Sequence, residues 1–264
     1  KRTVLKTTAS TYDPMGYVSP ITVHARTIIQ KLWTLKLEWD DPIPDEIAEM
    51  WINTLRDLLE VEKISLPRWT GYEPGDDMEL HCFCDASELA CACVVFTRVT
   101  SRRGVIVRIL MAKSRVAPIK SETISRLELI ASVMGVRLTK ALSKKYEVPK
   151  EKIHYWTDSR NVLCWINTPS SRLKVYVQNR IGEIQRRTIA RQWHHISTEQ
   201  NPADIATRYI SAQELKENEL WWTGPPVLKV GIYQEFKPNG ISDEVTKEMK
   251  DENFSFCAVT GEVH

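Results

Sequence analysis

Three strand-length runs follow one another with only short turns between them: Glu79 to Asp85, Cys91 to Val99 and Val105 to Ala112. Such runs, joined so tightly, predict an antiparallel meander. The next segments exclude an all-β fold. Leu127, Ala131, Met134, Leu138 and Leu142 recur at helical spacing, Ile153 to Thr157 has strand length, and Ser159 to Ile166 reads as a short helix. A third helix spans roughly Lys174 to Thr188, Gln192 to Ser197 is a further strand, and Asn201 to Arg208 a final helix. This order implies an α/β fold: a mixed sheet with helices packed on its faces.

Residues 1–70 have a different rhythm. Ser19-Pro20 reads as an N-cap followed by a first-turn proline, and Val23, Ile28, Ile29, Leu32 and Trp33 follow a helical stripe that ends near Lys36. Ile47, Trp51, Leu55, Leu58, Leu59 and Ile64 mark a second amphipathic helix that stops before Pro67. The polar stretch Thr70 to Asp77, with Gly71, Pro74 and Gly75, then separates the two rhythms. The expected organisation is a helical segment 1–70, an α/β domain 78–210, and a connector and loosely ordered tail over 211–264. The last thirty residues or so show little periodicity and lean acidic.

No apolar run is long enough to cross a bilayer, so no membrane partner is expected. Net charge is only +2, so nucleic-acid binding would have to come from uneven placement of charge. The placement is uneven: Arg98, Arg102, Arg103, Arg108, Lys113, Arg115, Lys120 and Arg126 face the single acid Glu122 within that stretch. Four of the six cysteines form two Cys-x-Cys pairs, Cys82/Cys84 and Cys91/Cys93. On strands such pairs share a face, and they lack the Cys-x2-Cys knuckle of structural zinc, so core packing outweighs metal binding. A reducing intracellular setting is the default expectation. Lys1, with no initiator Met and no signal-like segment, reads as the start of a piece cut from a longer product.

Four acids stand at telling points. Asp85 ends the first strand, Glu128 sits in the first turns of a mostly apolar helix, Asp158 ends a later strand, and Asp204 opens the last helix. Taken singly, Asp158 and Asp204 can be helix-start acids and Asp85 a turn acid. Taken together on this alternation of elements, the chemical reading prevails. A cluster of carboxylates repels itself unless cations neutralise it, and Mg²⁺ prefers oxygen ligands and bridges to phosphates. Two such ions roughly 3.5–4 Å apart would serve an in-line phosphodiester displacement.

The strand Asp, helix Glu, Thr157-Asp158-Ser159 and late Ala203-Asp204 resemble the acid pattern of the ribonuclease H superfamily. Flanking strings are more specific. Ala112-Lys113-Ser114-Arg115-Val116-Ala117-Pro118, Arg126-Leu127-Glu128-Leu129 and Asn201-Pro202-Ala203-Asp204 resemble the Bel/Pao group of long-terminal-repeat retrotransposons. So do Tyr12-Asp13-Pro14-Met15-Gly16-Tyr17-Val18-Ser19-Pro20 and Leu220-Trp221-Trp222-Thr223-Gly224-Pro225, in the expected order over residues 1 to about 228. The region is sometimes labelled a Pao retrotransposon peptidase family.

The resemblance implies a fragment of a Pol polyprotein in which residues 1–70 act as a thumb or connection element after a reverse transcriptase. It implies a metal-dependent endonuclease that cuts the RNA strand of RNA/DNA hybrids, in the cytoplasm or in virus-like particles. Asp85, Glu128, Asp158 and Asp204 would be its catalytic and metal-binding acids, with two Mg²⁺ ions and Mn²⁺ able to substitute. Thr123, five residues before Glu128, would hold a DNA-strand phosphate, although helix capping competes equally. Arg126, Lys113 and Arg160 are candidate phosphate contacts, against the ordinary role of a solvated basic face. The helix bearing Lys174, Arg180, Arg186 and Arg187 would flank the hybrid similarly.

One departure concerns the loop before the last Asp. Ile196 to Asn201 holds no histidine where many cellular relatives carry one, and His194 and His195 precede it on a strand, where a structural role is the expectation. Glu199 is an alternative proton carrier. The competing class is a non-catalytic ribonuclease H-like module that grips nucleic acid or organises a polyprotein. An aspartic protease would need Asp-Thr-Gly or Asp-Ser-Gly, and neither occurs; a Tyr-x-Asp-Asp polymerase turn and an integrase zinc knuckle are absent too.

Overall fold

The computed structural model describes residues 1–67, 69–237 and 242–250. Three helices lead, α1 (Arg2–Ser10), α2 (Ser19–Thr34) and α3 (Asp45–Glu60), followed by strands β1 (Asp77–Ala86), β2 (Ala90–Ser101) and β3 (Gly104–Val116). Then come α4 (Ile124–Tyr146), β4 (Ile153–Thr157), α5 (Arg160–Ile166), α6 (Val175–Gln185), β5 (Trp193–His195) and α7 (Pro202–Ile205). Four short helices finish the described chain: α8 (Ala212–Glu217), α9 (Glu219–Thr223), α10 (Val227–Val230) and α11 (Asp243–Lys247).

Among the described residues the strands form one sheet in the order β3-β2-β1-β4-β5. The meander pairs antiparallel, and β4 and β5 add in parallel beside β1. This is the expected α/β mixed sheet. β3 runs past Ala112 to Val116 because Lys113 to Val116 still pair with Cys93 to Ala90. An outer strand can carry exposed charges such as Lys113 and Arg115 without losing its ladder.

Alternation along β1 divides the core. Leu80, Cys82 and Cys84 join Cys91, Cys93 and Val95 of β2 beneath α4, α5 and α6. Phe83 joins Ala92, Val94, Phe96 and Trp156 on the other face, covered by Ala203, Ala206, Leu215, Trp221 and Leu228. The cysteine pairs are therefore core side chains, as expected, and they allow a close approach. A Cβ on Gly135 of α4 would fall 2.5 Å from Cys84 Sγ and 2.8 Å from Cys82 Sγ, so only glycine lets the helix lie this near the sheet.

Val4, Ala25, Ile28, Leu32, Ile47 and Trp51 form a small core among α1, α2 and α3. α2 and the turn before it also cover the edge of the sheet: Ile21 packs into the second core, Gln30 Nε2 donates to Ala117 O (2.6 Å), and Ala112 N donates to Met15 O of the turn (2.8 Å). Gly16, at φ +73°, sits where any Cβ would strike the Ala112 carbonyl.

The connector over residues 211–230 is packed, with Leu215, Trp221 and Leu228 at 0% exposure. One expectation for the tail needs correction. The expected loose tail is ordered over 242–250, where α11 buries Val245 and bonds to α4 and α5. Residues 238–241 and 251–264 lie outside the described residues.

Candidate active site

Parallel pairing delivers two acids to one end of the sheet. Phe83 of β1 pairs with Trp156 of β4, and Asp85 and Asp158 each lie two residues past that rung. Glu128 arrives from above. It lies two helical turns before Gly135, the point of closest approach, which carries it roughly 10 Å along α4. There Ser159 Oγ donates a short hydrogen bond to its carboxylate. Asp204 comes from the first turn of α7, held in a salt bridge by Arg208 at 2.8 Å.

Neighbouring polar side chains fix the acids. Thr207 Oγ1 donates to Asp85 Oδ2 at 2.8 Å, and Thr198 Oγ1 to Asp158 Oδ2 at 2.7 Å. Asn201, 1% exposed, is the hub: its Oδ1 accepts from Ala203 N and caps α7, while its Nδ2 reaches Cys84 O (3.1 Å) and Asp158 Oδ1 (3.5 Å). One asparagine thereby ties the loop before Asp204 to the strand that carries Asp85 and to Asp158.

Burial pushes the Asp85 carboxyl up to about 6, and the charges of Asp158 and Asp204 add to the rise against the Thr207 bond. Burial also pushes Glu128 up to about 7, helped by Asp158, Asp85 and Glu244 and opposed by the Ser159 bond. Asp204 is raised by burial and by Asp158, with Arg208 pulling the other way. The four acids thus act on one another, and among the described residues only Asp204 has a basic partner within salt-bridge distance. An all-oxygen, mutually repelling donor set fits a hard divalent cation.

Among the described residues, the one set of three ligand atoms all within 4.8 Å of one another lies elsewhere, at Glu79, His81 and His154; the four acids are spread more widely. The chemistry of that set does not fit a metal. Trp156 Nε1 donates to His81 Nδ1 (3.2 Å), which leaves the proton of a neutral ring on Nε2, directed at Glu79 Oε2 (3.1 Å). Burial lowers the His81 pKa and keeps the ring neutral, while Arg98 (3.3 Å) and the Tyr233 hydroxyl (3.2 Å) share the same Glu79 oxygen. The group is a satisfied hydrogen-bond network that anchors the chain around Tyr233 beneath β1 and β4.

The basic candidates divide. Arg160 is exposed and lines a cavity of about 350 Å³ with Ser125, Glu128, Asp158, Ser159 and Glu244. Thr123 caps α4, accepting from Arg126 N at 3.4 Å. Arg126 is engaged by Glu122 (3.2 Å) and Glu248 (2.8 Å) over the Tyr176 ring. Lys113 stands on the outer strand β3, two strands from β1. The two histidines of β5 part company by alternation: His194 is buried against His154 (3.1 Å), whereas His195 is exposed beside Arg160 and Asp158. Sequence reasoning passed over Asn201, Thr207, Thr198 and Glu244. Asn201 stood in the quoted Asn-Pro-Ala-Asp string, whereas Glu244 carries no local signal.

A sheet of this order, with carboxylates gathered where its two central parallel strands end, defines a ribonuclease H-like domain, a hydrolase fold of the nuclease kind. The chain belongs to the Pao retrotransposon-like RNaseH-like domain family, whose model matches residues 1–159. The matched span holds Asp85, Glu128 and Asp158 and ends before Asp204. No curated protein matches the chain.

Proposed function

We propose that the chain is a metal-dependent endonuclease that hydrolyses the RNA strand of RNA/DNA hybrids during retrotransposon reverse transcription. It would act beside the reverse transcriptase region of the same polyprotein, in the cytoplasm or in virus-like particles. The observation that carries this reading is the mutual repulsion of Asp85, Glu128, Asp158 and Asp204, three of them without a basic partner among the described residues. A fold bears that cost for a site rather than for stability.

The four carboxylates would hold two Mg²⁺ ions, with Mn²⁺ able to substitute. When bound, the ions supply charge stabilisation for an in-line phosphodiester displacement. The chain's own residues do the remainder. Thr207, Thr198, Ser159 and Asn201 aim the carboxylate oxygens, so the ligands need little rearrangement. Arg160 offers an exposed cation to the scissile strand, and Thr123 and Lys113 would contact phosphates farther out. Hybrid preference would come from groove shape and 2′-hydroxyl contacts rather than base sequence.

The experiment offers end-labelled RNA/DNA hybrid, duplex RNA and duplex DNA to the chain in Mg²⁺. Cleavage of the hybrid's RNA strand alone, leaving a 3′-hydroxyl and a 5′-phosphate, is the expected result. Hybrid binding without cleavage would replace this reading with that of a non-catalytic ribonuclease H-like module.

A further inference from the structure

The segment 242–250 lies across the first turns of α4 and α5, and its Glu244 lines the same cavity as Glu128, Asp158 and Arg160. Glu244 Oε2 accepts from Ser125 Oγ (2.5 Å) and from Asn161 Nδ2 (2.7 Å), and Ser242 Oγ donates to Asn161 Oδ1 (2.7 Å). Four residues on, Glu248 Oε1 accepts from Arg126 Nε at 2.8 Å. The backbone is tied down beyond it: Lys174 N donates to Glu248 O and Lys250 N to Arg172 O, both at 2.8 Å. A hydroxyl, an amide and a guanidinium beside a nuclease-type carboxylate cluster are the donors that hold phosphate oxygens. Here they hold carboxylates.

The segment is suited to leaving. Val245 is its one fully buried apolar residue and Met249 packs partly buried against the core; the rest of its hold is polar. The second oxygen of Glu248, Oε2, is buried with no hydrogen-bond partner, so the docked state leaves an acceptor unsatisfied. Segments with few apolar contacts open at low cost.

We infer that residues 242–250 are an intramolecular occupant of the phosphate-binding surface formed by Ser125, Arg126 and Asn161, and that the nucleic-acid backbone must displace them. The inference rests on the nuclease reading above. Glu244 and Glu248 compete with strand phosphates for the same donors, and the docked segment restrains the site until a hybrid takes its place.

The test compares the full chain with its Glu244→Gln/Glu248→Gln variant, using fluorescence anisotropy of a labelled RNA/DNA hybrid in Ca²⁺ to read binding apart from cleavage. Removing two competing carboxylates should tighten binding by about fivefold or more at low salt. A second measurement needs no variant: hydrogen exchange across 242–250 in the unmodified chain should speed up when hybrid is added. Equal or weaker binding by the variant, with the unmodified chain binding hybrid, overturns this inference alone. Slower exchange across 242–250 on adding hybrid also overturns it, because the segment would then belong to the bound site. Absence of hybrid binding by both proteins overturns the nuclease reading and this inference together.

Discussion

Replacing Asp85 by asparagine should stabilise the metal-free protein at pH 8 and have far less effect at pH 4. Burial with the charges of Asp158 and Asp204 lifts this carboxyl from 3.8 to about 6. Below the ordinary value the group is protonated in folded and unfolded chains alike and carries no penalty. As pH rises through about 6 the folded state must ionise a group that it disfavours, and the stability present at low pH is lost. The loss is about 3 kcal/mol at roughly 1.4 kcal/mol per pH unit. An asparagine avoids it, and its amide oxygen can still accept the Thr207 bond. In a chain of this size the gain corresponds to about 5–10 °C in melting temperature. The assay is thermal unfolding of both proteins in EDTA from pH 4 to pH 8. The difference between them isolates Asp85 from the buried histidines, which titrate alike in each. Millimolar Mg²⁺ at pH 8 should raise the original protein more than the variant. Equal melting temperatures at pH 8 in EDTA would refute the electrostatic argument.

Three further outcomes follow from the packing. Gly135→Ala should lower stability, because overpacking against Cys84 and Cys82 costs about 1–3 kcal/mol and outweighs a helix-propensity gain of about 1 kcal/mol; a higher melting temperature would show that α4 lies farther from the sheet. Asn201→Ala should cost about 1–3 kcal/mol in urea unfolding, since it removes the α7 cap and strands the buried Cys84 carbonyl; an unchanged midpoint would contradict its role as the hub. Cys82, Cys84, Cys91 and Cys93 should resist a thiol reagent until the protein is unfolded, while half-buried Cys164 reacts before any of these four, as mass spectrometry of the labelled peptides would show; early labelling of Cys82 would contradict the core assignment.

What could be read from the sequence was what depends on local pattern. Ile153 to Thr157 is a strand at the bounds its composition indicates, and the Cys-x-Cys pairs pack as alternation requires. Asp85, Glu128 and Asp158 could be singled out because strand ends and helix starts are local features, and the strings around them are specific. The remainder depends on distant partners. Nothing near His81 announces a network built from Glu79, Trp156 and Tyr233, residues separated by up to 154 positions. α11 is too short to show a helical stripe, and its order comes from Ser125, Arg126 and Asn161. The third helix stops at Gln185, short of the expected Thr188, because a terminal turn is set by tertiary contacts such as Trp193 Nε1 with Thr188 Oγ1 (3.0 Å). α1 was hidden among threonines that favour no helix strongly, and it forms against Ala25 and Leu32.

The most direct measurement of the central claim is cleavage of a labelled RNA/DNA hybrid in Mg²⁺ by the full chain and by its Asp158→Asn variant. Asparagine keeps the size of the side chain and its contact with Thr198 while removing the charge that couples to Asp85, Glu128 and Asp204. The four-acid account predicts cleavage by the original chain and a loss of at least a hundredfold in the variant, about 3 kcal/mol in the barrier, with the fold intact by circular dichroism. Equal cleavage by both proteins, or none by either in Mg²⁺ and Mn²⁺, would contradict it.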